Sequence, residues 1–239
     1  MFFNTTSPRI LVIAAHPDDV EIGAGGFLMR CIRELKAKID LLIMTNGQQY
    51  EDRPQTRKTE CYNGASLIGI ARDGIHILDY RAHELQNHLH PLIHSIEDRI
   101  GGAQGPFRYD VILTHAQYDT HNDHCEVYKA TISAARYFVG TLLLYQAPST
   151  IPNEFRPTLF IELDENLVLD KYQAIQAHVS QRKKEFAPIE TIRALAKGQA
   201  AFLRHPHKYF EAFEVYKTFW GLGDSQTDTR PTSDSELSV

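Results

Sequence analysis

The chain has 239 residues, of which 43% are hydrophobic and 23% charged, as in ordinary soluble globular proteins. This length favours one large α/β domain over two small ones, with a core that needs no disulfide bonds. A net charge of −5 without a basic stripe argues against nucleic acid as the main partner.

The cysteines and the N-terminus indicate where the protein works. Cys31, Cys61 and Cys125 are few and lack Cys-x-x-Cys spacing, which predicts free thiols in a reducing compartment. The first ten residues do not have the pattern of a signal peptide. The apolar runs are too short to cross a bilayer. We therefore expect a cytoplasmic protein with no membrane partner; the sequence leaves a homo-oligomer open.

Short apolar runs alternate with helical patterns in the first half of the chain. In chain order we predict strand 10–15, helix 20–36, strand 39–45, helix 55–68, strand 75–78, helix 84–100, strand 110–114 and helix 123–138. Polar loops are expected at 46–54 and 101–106, and Pro91 predicts a kink or restart in its helix. Near-continuous apolar strands that alternate with helices predict a mostly parallel sheet covered on both faces.

The second half adds an α+β portion to the same domain. We predict strands at 141–145, 158–163 and 209–218, and helices near 165–182 and 189–203. Trp220 is expected to close the core or an interface, so that one domain covers residues 1–220. Residues 221–239 are rich in Ser, Thr, Asp and Gln, which predicts a disordered polar tail.

Two polar segments follow predicted strands. Residues 15–21 (AHPDDVE) come directly after the first strand, and residues 119–124 (DTHNDH) come shortly after strand 110–114. Ligands of open parallel sheets bind beyond the carboxyl ends of the strands, so both segments can meet at that edge. Pro17 and the aspartates suit a helix start, and the glycines at 23, 25 and 26 predict close packing of that helix on the sheet.

Together the two segments offer the ligands of Zn²⁺ or a similar divalent ion. His16, Asp19 and His124 would supply three protein ligands and leave a position for water. Asp18 would then be free to act as general base. A His-x-x-His pair alone is weak evidence, and an Asp-Asp pair alone more often caps a helix. Their joint occurrence at strand ends is what favours a metal site.

His121 and His124 lie three residues apart at the entry to a predicted helix, so they would point to nearly the same side. One of them can bind metal while the other faces the substrate. Asp119 or Asp123 could accept a hydrogen bond from an imidazole and so determine its tautomer.

The same segments resemble a known family. AHPDDVEIGAGG followed by DTHNDH closely resembles the LmbE-like (PIG-L) deacetylases, whose signature is Ala-His-Pro-Asp-Asp-x-Glu with a later His-x-x-His. The resemblance runs from about residue 9 to 136 and is diffuse beyond residue 150. It includes Arg57, Glu60 and Ala65, which look like the family's arginine-containing segment after strand two.

The resemblance implies a Rossmann-like fold and a zinc-dependent de-N-acetylase acting on an N-acetylated amino sugar of the GlcNAc type, or on its conjugate. It implies that Asp18 is the general base. It also implies that His121 stabilises the oxyanion or protonates the leaving amine, with Asp123 as its orienting partner. Fe²⁺ also suits a His₂-carboxylate site. The implied zinc ligands are His16, Asp19 and His124.

Other residues have two interpretations each. Arg57 could contact substrate hydroxyls or a phosphate, or be a solvated helix arginine. Asn46 and Gly47 could line the pocket or form a structural turn. His115 could support the site or simply pack. Glu21 is expected to orient the motif backbone. The remaining residues of this kind are expected to be surface, loop or inert groups: His88, His90, His94, His205, His207 and Cys125.

Two alternative functions remain at this stage. One is an amidase that acts on a thiol conjugate of an amino sugar, and acetate release would distinguish deacetylation from it. The other is a binding domain that kept the sheet but lost the chemistry. The intact histidines and aspartates of both segments argue against this second alternative.

Overall fold

A seven-stranded sheet forms the centre of the part of the chain that the computed structural model describes, residues 7–47, 54–101 and 106–219. The strands follow the order β3-β2-β1-β4-β5-β7-β6 across the sheet. β1 to β5 are parallel, and β7 is antiparallel to both of its neighbours. The strands are β1 Arg9–Ala14, β2 Lys38–Thr45, β3 Ile75–Tyr80, β4 Val111–His115, β5 Thr141–Tyr145, β6 Leu159–Leu163 and β7 Tyr209–Lys217.

Helices cover both faces of the sheet, as the alternating pattern predicts. Alternate residues of a strand point to opposite faces. Ile10 and Val12 of β1 accordingly belong to one hydrophobic cluster, and Leu11 and Ile13 belong to another. The helices are α1 Asp19–Leu35, α2 Pro54–Ile68, α3 Leu89–Ile100, α4 Asn122–Ala134, α5 Glu165–Gln176 and α6 Ile189–Phe202.

Three predicted helices are shorter in the structure. The segment predicted as helix 84–100 begins with a separate 3₁₀ turn, Leu85–Asn87, and α3 starts at Leu89. Pro91 therefore lies in the first turn of α3, where its missing N–H costs nothing. α4 ends at Ala134, after which the chain turns and buries Phe138. α5 ends at Gln176, and a 3₁₀ turn, Val179–Gln181, follows it.

Two glycines let α1 approach the sheet closely. A Cβ atom on Gly23 would lie 2.3 Å from Cδ2 of Tyr145 in β5. A Cβ atom on Gly26 would lie 2.7 Å from Cδ1 of Leu163 in β6. Gly25 instead faces Lys171 of α5 at ordinary contact distance. The prediction of close packing is thus confirmed for the helix that carries Asp19.

The three cysteines are free thiols, as predicted. Burial raises the pKa of the Cys31 thiol to about 12, so it is an inert core group. The Cys125 thiol donates to the carbonyl of Asp119 at 3.2 Å. None of the helices in the described ranges is both long and apolar enough to cross a bilayer. Trp220 and the predicted tail at 221–239 lie outside the described residues.

Candidate active site

The two polar segments meet at one edge of the sheet. β1 and β4 are parallel neighbours, so their carboxyl ends lie side by side. The segment after β1 leads into α1, and the segment after β4 leads into α4. As a result Nδ1 of His16 lies 3.2 Å from Nε2 of His124, although 108 positions separate these residues in the chain.

Two imidazole nitrogens and the two oxygens of one carboxylate converge at this edge. Nδ1 of His16 lies 3.3 Å from Oδ2 of Asp19, and Nε2 of His124 lies 3.4 Å from Oδ1 of Asp19. All three side chains are buried. Ligand atoms about 2.0 to 2.2 Å from a tetrahedral Zn²⁺ would lie about 3.3 to 3.6 Å from one another. The predicted ligand set therefore has both the chemistry and the spacing to hold a divalent cation.

A second grouping of possible ligands consists of His16, His121 and Asp123. It suits a metal less well, because backbone N–H groups donate to both oxygens of the Asp123 carboxylate. His83 donates to Oδ2 of Asp123 at 2.6 Å, and Leu85 donates to Oδ1 at 3.4 Å. In the first grouping the backbone N–H of His16 donates to Oδ2 of Asp19 at 2.7 Å, and the contact with His124 is made by the other oxygen, Oδ1. His121 is also only half-buried, whereas each member of the first grouping is buried. We therefore place the candidate metal position among His16, Asp19 and His124, and we call these three residues the metal group.

A carboxylate lies behind each imidazole of the metal group. Nε2 of His16 lies 3.1 Å from Oδ2 of Asp123, and Nδ1 of His124 lies 3.1 Å from Oδ2 of Asp119. A metal-binding histidine usually donates its other N–H to a carboxylate, which determines its tautomer and raises its basicity. Thr150 and the backbone N–H of His121 hold Asp119 in place.

Asp123 contacts His121, as the resemblance implies, but it does so through its main chain. Its carboxylate contacts His16, whereas its backbone N–H donates to Nδ1 of His121 at 3.2 Å. His121 is the N-cap of α4, where backbone N–H groups have no intrahelical partner. Asp123 therefore contacts His121 through the main chain and supports a metal-group histidine with its side chain.

The electrostatics of the site keep its imidazoles in different protonation states. Burial alone would lower the pKa of His16, but Asp19 and Asp123 raise it to about 9. Burial alone would likewise lower the pKa of His124, but Asp19 and Asp119 raise it to about 10. A metal must therefore displace protons from both imidazoles. Burial and the two neighbouring imidazoles lower the pKa of His121 to about 4, which keeps it neutral.

Asp18 and Arg57 form a buried ion pair beside the metal group. Asp18 occupies the N-cap of α1, yet its carboxylate makes no capping bond. It accepts instead from Nη2 of Arg57 at 2.9 Å. Arg57 is only 4% exposed, so the interpretation as a solvated arginine is wrong. Glu60 and Ser180 hold the other side of the guanidinium group, at 3.8 and 3.2 Å from Nη1.

Gly47 and Asn46 have different positions relative to the site. Gly47 lines the pocket and has a φ of 70°, which favours glycine. A Cβ atom there would lie 2.8 Å from both Nε of Arg57 and Cδ of Pro17. Asn46 is buried and its backbone N–H donates to the carbonyl of Tyr80. It is not one of the residues that line the pocket.

The metal group opens into a pocket of about 200 Å³. One of its walls comes from residues that the sequence did not indicate, after β5 and after α5. The strand-end rule applied to strand 141–145 would have suggested Ser149, whose hydroxyl lies 3.3 Å from Nδ1 of His124. No motif indicated the others, which only the fold brings to the pocket: Pro148, Gln181, Lys184 and Phe186.

The remaining histidines and Glu21 lie away from the pocket. His115 supports the site: it is fully buried, stacks on His124 with ring centroids 4.0 Å apart, and accepts from the N–H of Ala15. The carboxylate of Glu21 lies 3.2 Å from Nε2 of His178 and does not line the pocket. The other predicted surface or loop histidines are exposed or half-buried and do not line it either: His88, His90, His94, His205 and His207.

Replacing Asp119 by Asn is expected to weaken Zn²⁺ affinity by about 10- to 100-fold, because His124 loses the carboxylate that holds its Nδ1–H. A competition titration against a chromophoric chelator measures this. Glu126→Gln, on the same helix as His124 but outside the site, is the matched control and should bind as the wild type does. Equal affinity in Asp119→Asn and the wild type would contradict a supporting role for this carboxylate.

The sequence is similar to a family profile and to a protein of Escherichia coli. The sequence profile of PIG-L, described as GlcNAc-PI de-N-acetylase, matches residues 11–135. The uncharacterized deacetylase YaiS of Escherichia coli K12 is 34% identical over 175 residues, which is 72% of this chain and 90% of YaiS.

Two solved structures share the fold at low sequence identity. N,N'-diacetylchitobiose deacetylase from Pyrococcus horikoshii has a TM-score of 0.71 at 21% identity, covering 87% of this chain and 84% of its own. GalB, the 4-carboxy-2-hydroxymuconate hydratase of Pseudomonas putida KT2440, has a TM-score of 0.68 at 15% identity. The match covers 90% of this chain and 99% of GalB. The fold is thus shared by different reactions, and the activity must be argued from the site. With the profile match over more than half of its length and the 34% identical relative, the chain belongs to the PIG-L (LmbE-like) family.

Proposed function

We propose that the protein is a metal-dependent de-N-acetylase that removes the acetyl group from an N-acetylated amino sugar of the GlcNAc type or from its conjugate. We propose Zn²⁺ as its metal, with Fe²⁺ as the alternative. The observation that carries the proposal is the buried group of His16, Asp19 and His124 with the carboxylate of Asp18 beside it in one pocket. The family description and the deacetylase relatives support the same reaction class.

The metal site defines where the chemistry would occur. A bound Zn²⁺ would polarise an amide carbonyl and lower the pKa of a bound water to about 7. His16, Asp19 and His124 would hold the ion. Asp123 and Asp119 would keep the two imidazoles in the tautomers that leave Nδ1 of His16 and Nε2 of His124 free to bind it.

Asp18 is the proposed general base. Its carboxylate lines the pocket next to Asp19 and has no capping role that would occupy it. Arg57 holds one of its oxygens, Oδ1, which orients the carboxylate. Asp18 would accept the proton of the attacking water and later pass it toward the leaving nitrogen. The products are acetate and the free amino sugar.

His121 is the proposed donor to the developing oxyanion or to the leaving amine. Its Nδ1 accepts from the backbone N–H of Asp123, so the neutral ring carries its proton on Nε2. A neutral imidazole in this tautomer offers one N–H donor, and His121 lines the pocket. Such a donor stabilises negative charge that develops on an oxygen in the transition state. Gly47 and Arg57 are proposed to line the part of the pocket that receives the substrate. Asn46, which precedes Gly47 and does not line the pocket, is proposed to support the backbone of Gly47.

The test is an acetate-release screen on a panel of N-acetyl amino sugars and their conjugates, with and without a chelator. We expect acetate from at least one sugar, loss of activity on chelation, and recovery when Zn²⁺ is added back. An acid released only from thiol conjugates of the amino sugar, with no acetate from any N-acetyl sugar, would indicate the amidase alternative. No release from any substrate, despite stoichiometric bound zinc, would indicate a binding domain. We further propose a cytoplasmic enzyme, as its cysteines predict.

A further inference from the structure

A second cavity, of about 190 Å³, lies next to the metal pocket. Its walls come from α1, α5, α6 and β7, and most of them are apolar, including Val168, Leu195 and Phe210. Ile22, Pro148 and Phe186 line both spaces, so the cavity and the pocket share a wall. Ile22 is three residues past Asp19 on α1, which means that the apolar space begins within one helical turn of the metal group.

The cavity is partly open to solvent, since Leu195 in its wall is 54% exposed, and it is large enough to hold a ligand. An apolar cavity of about 150 Å³ in another protein remains dry and binds benzene. A space of about 190 Å³ beside a reaction site can therefore hold an apolar group of about six to eight carbon atoms.

The charged residues in the cavity wall are already paired. Nζ of Lys171 lies 2.7 Å from Oε1 of Glu211 and donates to the carbonyl of Ile22, also at 2.7 Å. Glu211 in turn accepts from the backbone N–H groups of Gly26 and Phe27, at 2.8 and 2.6 Å. The other polar residues of the lining are Gln146, Thr150 and Gln199, and the rest of the wall is apolar. A hydroxyl-rich sugar would lose water against that apolar wall and find no free charged partner, which is costly. An apolar chain loses nothing of that kind.

The position of the cavity favours one part of the substrate. The acyl carbon is the atom that reacts at the metal group, so the acyl chain begins near the residues that line both spaces. A group on the anomeric oxygen is separated from that carbon by part of the sugar ring. On the basis of the proposed amide hydrolysis, we propose that the cavity receives the acyl chain of an N-acyl amino sugar whose acyl group is longer than acetyl.

The reaction is the same hydrolysis with a longer acid. The amide C–N bond breaks, the oxygen of water joins the acyl carbon, and both protons of that water end on the leaving amine. The products are a medium-chain carboxylate and an ammonium sugar, and no further reactant is needed.

The first measurement is kcat/KM for glucosamine carrying N-acetyl, N-butanoyl, N-hexanoyl and N-octanoyl groups, followed by release of free amine. Each buried methylene is expected to raise kcat/KM by about fourfold, so that hexanoyl exceeds acetyl at least tenfold. Equal or falling values along the series, with acetate still released, would overturn the inference and leave the proposed function intact.

Ala196→Phe tests the cavity itself. Ala196 is a buried residue of α6 that lines the cavity, and a phenyl ring there would fill it. We expect the ratio of hexanoyl to acetyl turnover to fall at least tenfold. Ala194→Phe places the same ring on the exposed side of the same helix and should leave the ratio unchanged. If Ala196→Phe has a lowered Tm, the same ratio is measured on Ala196→Leu, whose smaller side chain also fills part of the cavity.

Binding separates this inference from the proposed chemistry. Calorimetry on the Asp18→Asn variant gives Kd for N-hexanoyl- and N-acetylglucosamine without turnover. Tighter binding of the hexanoyl compound, lost in Ala196→Phe, supports the cavity even if no amide is hydrolysed. If a hexyl glycoside of N-acetylglucosamine binds in this Ala196-dependent way and the N-hexanoyl sugar does not, the cavity holds the aglycone and the inference is wrong.

Discussion

Asp18→Asn is expected to keep its bound metal and to lower kcat by about 10²- to 10⁴-fold, the range that general-base catalysis contributes. Asn has nearly the same shape as Asp but cannot accept the proton of the attacking water. The carboxylate of Asp18 is not part of the metal group, so the ligand atoms of His16, Asp19 and His124 are unchanged. Steady-state kinetics on the identified substrate, with metal content measured by elemental analysis on the same sample, checks both parts.

Two further measurements make the Asp18 result specific. Asp98→Asn changes an exposed aspartate of α3 in the same way and should leave kcat unchanged. The Tm of Asp18→Asn is needed because the change leaves Arg57, a buried cation, without its ion-pair partner. A kcat equal to that of the wild type in a metal-loaded Asp18→Asn protein would show that another group is the base.

His124→Ala is expected to lose metal and activity together. The change removes one of three protein ligands of the metal. Removing a residue that only supports a ligand lowers metal affinity by up to about 100-fold, so the loss in His124→Ala should be larger. Elemental analysis after gel filtration, and a chelator titration of the metal that remains, measure this loss. We expect no stoichiometric metal in the variant.

His121→Ala is the matched control for this experiment. It removes the other histidine of the same pair and should keep the metal while lowering kcat, because His121 is not part of the preferred ligand group. The opposite pattern, with metal retained in His124→Ala and lost in His121→Ala, would favour the grouping of His16, His121 and Asp123 and would overturn our assignment.

The sheet and its active edge could be predicted because their signals are local. Continuous apolar runs such as 10–15 are typical of buried parallel strands, and polar residues directly after them must lie at the carboxyl edge. His16, Asp18 and Asp19 follow β1 within a few residues, so little depends on the rest of the fold. Helix ends were less accurate, because turns such as Leu85–Asn87 and Val179–Gln181 depend on packing.

The partners of the site residues could not be predicted, because they depend on how distant elements pack. Spacing alone left Asp119 and Asp123 as alternatives, and the resemblance linked Asp123 to His121. The structure places Asp123 against His16, which belongs to a segment 107 positions away. The burial of Arg57 against Asp18 has the same origin, since α2 must pack beside the start of α1 before the two side chains can meet.

The two polar segments, each following a predicted strand, are together sufficient to indicate a metal site with a neighbouring base. The chemistry of the ligands and the base lies in the identity and spacing of these residues. The apolar cavity, which Ile22 and Phe186 line together with the metal pocket, could not be predicted in this way. Its walls come from elements throughout the chain, each of which has an ordinary amphipathic pattern, and a space exists only where their packed surfaces do not meet. The reaction class is therefore readable from the chain, whereas the shape that selects the substrate is a property of the tertiary structure.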